Sequence, residues 1–331
     1  MSHEFDSGLF IGTAAWHGLG TVKEKPPATL AEAMVEAKMN WQVIEKFAYD
    51  ENGAEIPGWK RIIREDTNEL FHVARSGWTP IQNSSAFKFF EPLIADGDVE
   101  LSAAVSLKGG KRVAITAKIK DAVADVVAGD PVEGFLLLFN GHDGKLGLGV
   151  RFTNTRVVCN NTLQMNLNAM GQIEGGGSLK WDGKNASIKH TQNINANLDA
   201  VQNSLNIHKR TFRQTIEEYR AMVKVQLKTG DFEQYLANTL RSHAKFENVK
   251  DLRCFEQLVK NFETGKGMDV PGVAGTAWAA YNAVTEWTTH QRGSSKQDLA
   301  ALQNRLDANW FGSGASIDKA AHLNALLLAT A

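Results

Sequence analysis

Apolar and polar positions alternate in short runs from residue 41 to residue 179, the period of half-buried strands. Residues 41–49 read as one strand. Residues 59–64 and 70–75 form a hairpin around Glu65-Asp66-Thr67-Asn68. Residues 99–107 and 112–119 form a second hairpin, turned by Lys108-Gly109-Gly110-Lys111. Strands also follow at 135–139 and 146–152, separated by a loop at 140–144. Two helices interrupt this pattern. Thr29 caps one that runs to Lys38, and Asn83 caps another over 84–95, with Pro92 as a kink. Residues 153–170 read as a further helix, with Val157, Val158, Leu163 and Leu167 on its apolar side. Beyond Gly175-Gly176-Gly177-Ser178 the period becomes helical, with one long helix over 190–227 and breaks near Gly230, 265–271 and 292–295.

The expected fold class is therefore α+β: antiparallel β-hairpins packed with helices, followed by a mostly helical C-terminal region. Its expected parts are an N-terminal arm over residues 1–40, rich in glycine up to Pro26-Pro27, an α+β core over 41–177, and a helical region over 178–331.

At 331 residues, with 43% hydrophobic and 22% charged residues, the chain has the composition of an ordinary globular protein. No apolar run reaches the roughly 18 residues of a membrane span, and no secretory signal opens the chain. The two cysteines, Cys159 and Cys254, fit a reducing cytoplasm. The net charge of -1 is unevenly spread. Residues 1–100 hold 9 Lys+Arg against 16 Asp+Glu, and residues 178–228 hold 9 against 4. A neutral total with a local basic block is compatible with nucleic acid but not with coating DNA by bulk charge.

Patterns for catalysis fail one by one. Thr264-Gly265-Lys266-Gly267 has Lys260 where a phosphate loop needs glycine, and Gly267 where it needs a hydroxyl. Gly144, Gly147 and Gly149 lie between strands, away from the strand-to-helix turn of a dinucleotide site. Asp96, Asp98 and Glu100 read as a turn entering a strand, Cys159 as a buried thiol, and His142-Asp143 as an exposed loop pair. No metal, cofactor or catalytic residue is expected, though a metal-dependent nucleic-acid enzyme stays open.

Nucleic-acid chemistry finds more support. Arg151, Asn154, Arg156, Asn160 and Asn161 cluster where the strand meets the expected helix, whose N-terminus favours an anion. Lys108, Lys111 and Arg112 crowd a hairpin tip. Lys180, Lys184, Lys189, Lys209, Arg210 and Arg213 extend the basic track, with Phe152 and Trp181 available for stacking.

Three segments carry a family resemblance: Ala15-Trp16-His17-Gly18-Leu19-Gly20, then Thr153-Asn154-Thr155-Arg156-Val157-Val158-Cys159-Asn160-Asn161-Thr162-Leu163, then the stretch from Pro271-Gly272-Val273 to Val284-Thr285-Glu286. Together they resemble phage/plasmid-like proteins that share domain of unknown function 932. The resemblance implies a phage, prophage or plasmid origin and a bacterial host cytoplasm, with no assigned activity. More distantly, the order of hairpins and helices is similar to single-strand annealing proteins of the Rad-fifty-two type. That resemblance implies single-stranded DNA as partner, a homo-oligomer, and annealing without nucleotide hydrolysis. The alternative is an interaction module that binds a host or phage protein through the aromatics Trp278, Tyr281 and Trp287.

Overall fold

The computed structural model describes residues 5–12, 20–27, 29–88, 90–158, 161–163, 180–181, 186–188, 212–293 and 299–330. The fold is α+β, with antiparallel sheets first and helices toward the C-terminus. The boundary expected at 177/178 lies outside the described residues. By its contacts the chain divides into two units, each gathered from three stretches. The first comprises Met1–Lys120, Leu136–Arg151 and Asn168–Asn206; the second comprises Asp121–Phe135, Phe152–Leu167 and Ile207–Ala331.

A small sheet in the first unit has the order β3-β4-β5, formed by β3 (Val43–Tyr49), β4 (Glu55–Arg64) and β5 (Leu70–Arg75). Both hairpins are antiparallel, and the 65–69 turn uses Asn68 in a left-handed conformation at φ 55. A larger sheet begins with β1 (Phe5–Ile11) and β2 (Thr21–Lys23). It continues with β6 (Val99–Leu107), β7 (Arg112–Asp125), β8 (Pro131–Gly141) and β9 (Leu148–Arg156). Short strands β10 (Asn161–Leu163), β11 (Lys180–Trp181) and β12 (Ala186–Ile188) complete it. Within the stretch expected as an arm, β1 pairs with β6 and buries Leu9 and Phe10 completely or nearly so.

The helix start at Thr29 is a capping box: Thr29 Oγ1 accepts from the Glu32 backbone and Glu32 accepts from the Thr29 backbone, opening α1 (Leu30–Glu36). Asn83 does not cap. It lies inside α2 (Asn83–Phe87), where its amide donates to Met39 O and its oxygen meets His142 Nε2 at 2.9 Å. A second short helix, α3 (Phe90–Ala95), follows, with Pro92 in its first turn, where no backbone N–H is needed.

The helix expected at 153–170 is not formed in its described part. Strand β9 runs on through Thr153-Asn154-Thr155-Arg156 and turns back as β10, pairing Asn161 with Arg156 and Leu163 with Asn154. Residues 152–154 and Arg156 are buried and Thr155 is half-buried, so the segment is enclosed on nearly all sides. Val157 and Val158, read as helix core, are exposed. The residues β-branched at Cβ in this stretch fit a pleated surface better than a helix.

In the second unit, residues 212–223 form α4, which ends well short of 227; residues 190–211 are outside the described set. Then come α5 (Thr229–Leu240), α6 (Phe255–Thr264), α7 (Ala277–Glu286), α8 (Leu299–Phe311) and α9 (Ser313–Thr330). Helix α7 is buried along its whole length, and Phe232 stacks on Phe262 with centroids 4.1 Å apart. Among the described residues no helix is long and apolar enough to cross a membrane.

Candidate nucleic-acid interface

Strand pairing in the small sheet sets the side chains in cross-strand rows. Lys46, Arg61 and Val73 stand opposite one another, and Trp59 stands opposite Arg75. By the two-residue period these rows share one face. On the other face, Val43, Ile62 and Ala74 are buried. The first face is open: Val73 is exposed, and Trp59 is 39% exposed. A register shift between Phe47 and Tyr49 brings the Tyr49 ring, 51% exposed, to 6.0 Å from the Arg61 guanidinium carbon. Arg75 lies 5.2 Å from the Trp59 ring. Arg61 Nε donates to Phe47 O at 2.9 Å, and Lys46 Nζ donates to Asn68 Oδ1 at 3.0 Å. The result is two aromatic planes, each with an arginine over it, on one three-stranded sheet. Aromatic planes take bases of any sequence, and guanidinium forks take phosphate oxygens.

The turn between β4 and β5 meets the β6–β7 hairpin tip through Arg64. Its Nη1 donates to Asp6 Oδ2 at 2.5 Å and to Gly109 O at 3.1 Å, its Nε donates to Asp66 Oδ1 at 2.7 Å, and its guanidinium covers Trp41 at 4.5 Å. The hydrogen bond from Arg64 holds the Asp66 carboxyl below the usual carboxylate range. Lys111 Nζ is 3.3 Å from Glu69, and Arg112 Nε is 3.6 Å from Asp143. Behind the tip, His142 is buried rather than exposed, stacked on Phe71 at 5.6 Å. Its carbonyl accepts from His72 Nδ1, and burial lowers the His72 pKa.

The expected binding residues separate sharply. Lys108, Lys111 and Arg112 do share the hairpin tip. Arg151 lies in β9 and Lys180 in β11; Asn160, Lys189, Lys209 and Arg210 are outside the described residues. Arg156 is fully buried, so the expectation of a phosphate ligand there is corrected. Its Nε and Nη2 hold both oxygens of buried Asp130, at 2.6 and 2.9 Å, and it also donates to Lys266 O and Gly267 O. Trp278 Nε1 donates to the same carboxylate at 2.8 Å, and the Arg156 guanidinium covers the Trp278 ring at 5.5 Å. Asn154 is likewise buried. Among the described residues no helix N-terminus stands at this junction to complete an anion site.

Trp278 and Tyr281 are fully buried in α7, so they are core rather than interface anchors. Glu286, at the end of α7, accepts from the Lys266 backbone, and burial raises its pKa. Thr264-Gly265-Lys266-Gly267 thus serves as a loop end held by Arg156 and Glu286. Among the described residues no group of three His, Cys, Asp or Glu is placed to hold a metal ion. The sheet-face residues Lys46, Tyr49, Trp59, Arg61 and Arg75 went unselected in the sequence. Their signal was an aromatic and a cation recurring at even spacing, as in Trp59-Lys60-Arg61.

No curated protein and no solved structure matches the chain. A protein-family model described as "Domain of unknown function (DUF932)" matches residues 71–310, most of the chain. The chain belongs to this DUF932 family.

Proposed function

We propose that this protein, of phage or plasmid origin, binds single-stranded DNA on the outward face of the β3-β4-β5 sheet and promotes strand annealing without nucleotide hydrolysis. The observation that carries the reading is the pairing of Tyr49 with Arg61 and of Trp59 with Arg75 on one face of the sheet, with both rings partly open to solvent. Stacking engages the flat side of a base and leaves its Watson–Crick edge outward, which is what a strand needs in order to meet its complement. Arg61, Arg75 and Lys46 neutralise phosphates on that face, and Lys108, Lys111 and Arg112 at the hairpin tip are the further cations of the reading. Self-association, which would align several such faces along one strand, is the second part of the reading.

Titration with a labelled oligothymidine tests it. Binding quenches Trp59 fluorescence, weakens with salt, and speeds annealing of complementary oligonucleotides without nucleotide or metal. Light scattering then gives multiples of 36.3 kDa. A folded protein that ignores single strands at low salt would sink the reading and favour a host or phage protein partner on the same face. Cleavage on adding magnesium would instead mark an enzyme.

A further inference from the structure

The cations at the β6–β7 tip have counter-ions of different kinds. Arg112 faces Asp143, whose side chain is only 9% exposed and whose Oδ1 also accepts from the Lys145 and Leu146 backbones. That carboxylate is enclosed and committed. Lys111 faces Glu69, and the two side chains are 32% and 41% exposed. The Glu69 carboxylate lies flat against Gly109: a methyl group there would stand 2.6 Å from Oε2 and 3.0 Å from Oε1. Lys108, Gly109 and Gly110 all take left-handed conformations, at φ 55, 67 and 98. Gly109, with no Cβ, leaves the carboxylate room to lie this close to the backbone. The tip therefore already accommodates a two-oxygen anion beside an ammonium group. A phosphodiester presents the same pair of terminal oxygens.

We propose that the Gly109–Lys111 tip is a phosphate subsite which Glu69 occupies in the free protein, and that a phosphate of the bound strand displaces it. The proposal rests on the single-strand reading for the identity of the natural ligand, but not for the existence of the anion site. An exposed lysine–carboxylate pair shifts an equilibrium by no more than about fivefold, so an incoming phosphate can replace it. Glu69 thereby lowers affinity for every polyanion while costing the fold little.

The test uses Glu69→Gln, Lys111→Gln and the double variant in the full chain, with melting temperature as the folding control. Two probes are titrated: a labelled oligothymidine and inorganic polyphosphate, which carries anions without bases. E69Q should bind both about threefold tighter, with the single-strand salt slope steeper by about 0.7, one extra phosphate contact. K111Q should weaken both, and the double variant should lose the gain. Tighter polyphosphate binding by E69Q with no oligothymidine binding by any form upholds the anion site and defeats the single-strand reading. Oligothymidine binding with folded E69Q unchanged on both probes overturns the inference and leaves that reading intact. A gain that survives in the double variant also overturns it, since Lys111 would then not be the partner.

Discussion

Two arginine–tryptophan pairs in this protein have nearly the same geometry and opposite surroundings. Arg75 lies 5.2 Å from the Trp59 ring on an open sheet face. Arg156 lies 5.5 Å from the Trp278 ring in a sealed interior. The difference is the carboxylate. Asp130 binds both the guanidinium and the indole N–H of the buried pair, so every strong donor there is directed inward. Without such a partner a buried guanidinium would be prohibitive. Arg75 and Trp59 remain in contact with water, where the attraction between them is weak and both can turn to a ligand. Proximity of a cation to an aromatic ring thus says little about role until the nearest carboxylate is known.

The largest effect should come from breaking the sealed pair. Asp130→Ala takes both carboxylate oxygens away from the buried Arg156 guanidinium, and should cost roughly 3–5 kcal/mol of stability in a denaturant titration. If D130A melts like wild type, Arg156 is not the structural arginine described here. On the open pair, Trp59→Ala should leave stability nearly unchanged and weaken oligothymidine binding by about 1–3 kcal/mol, roughly 5- to 150-fold. Equal affinity in wild type and W59A would remove this face from the binding site.

A comparison within the second unit sharpens the role of the partner. Asp318 is as buried as Asp130, but its hydrogen-bond partner is the Thr288 hydroxyl. That hydroxyl donates to Asp318 Oδ1 at 2.6 Å and lies 3.1 Å from Thr285 O. The Asp318 carboxyl is enclosed, and the Thr288 hydroxyl and Arg292 are the groups that favour its charged form. Burial pushes its pKa well above 3.8, against the opposing pull of Arg292; Tyr235 also faces it. Between 3.8 and the raised folded value the native state holds more protons than the unfolded chain. Stability from this group therefore falls as pH rises through that window, by up to about 1.4 kcal/mol per pH unit, and levels off above it. Asp318→Asn cannot lose the proton, so its melting temperature should lack this decline. Superimposable pH profiles for the two proteins would show the carboxyl to be ionised after all. The smallest effect belongs to Arg75→Gln: about 0.5 kcal/mol of stability, because exposed cation–π pairs are weak, and a salt slope shallower by about 0.7.

The hairpins at 59–75 and 99–119 and the Thr29 N-cap were legible because each is a local pattern of a few residues with its own turn or capping chemistry. The 153–163 segment was misread because its apolar residues fit a helix and a strand equally over so short a run, and pairing with a distant partner decided between them. Arg156 carries no mark of burial in its own neighbourhood. Its carboxylate is 26 residues away and its indole partner is farther still. The alternation of Trp59 and Arg61 was visible, but which face of the sheet would stay open depends on what packs behind Ile62 and Ala74, and that is a tertiary fact.

The Asp130–Arg156–Trp278 cluster also sets an order of events during synthesis. Asp130 and Trp278 are 148 positions apart, and Gly267 is 111 from Arg156. At a translation rate of roughly 5–20 residues per second, the carboxylate waits about 7–30 s for its indole to be made. Over that interval β8 and β9 can form, with Asp130 just ahead of β8 and Arg156 at the end of β9. Until helix α7 is made the indole donor to Asp130 is missing, so a chain stopped before residue 278 lacks one partner of this buried carboxylate.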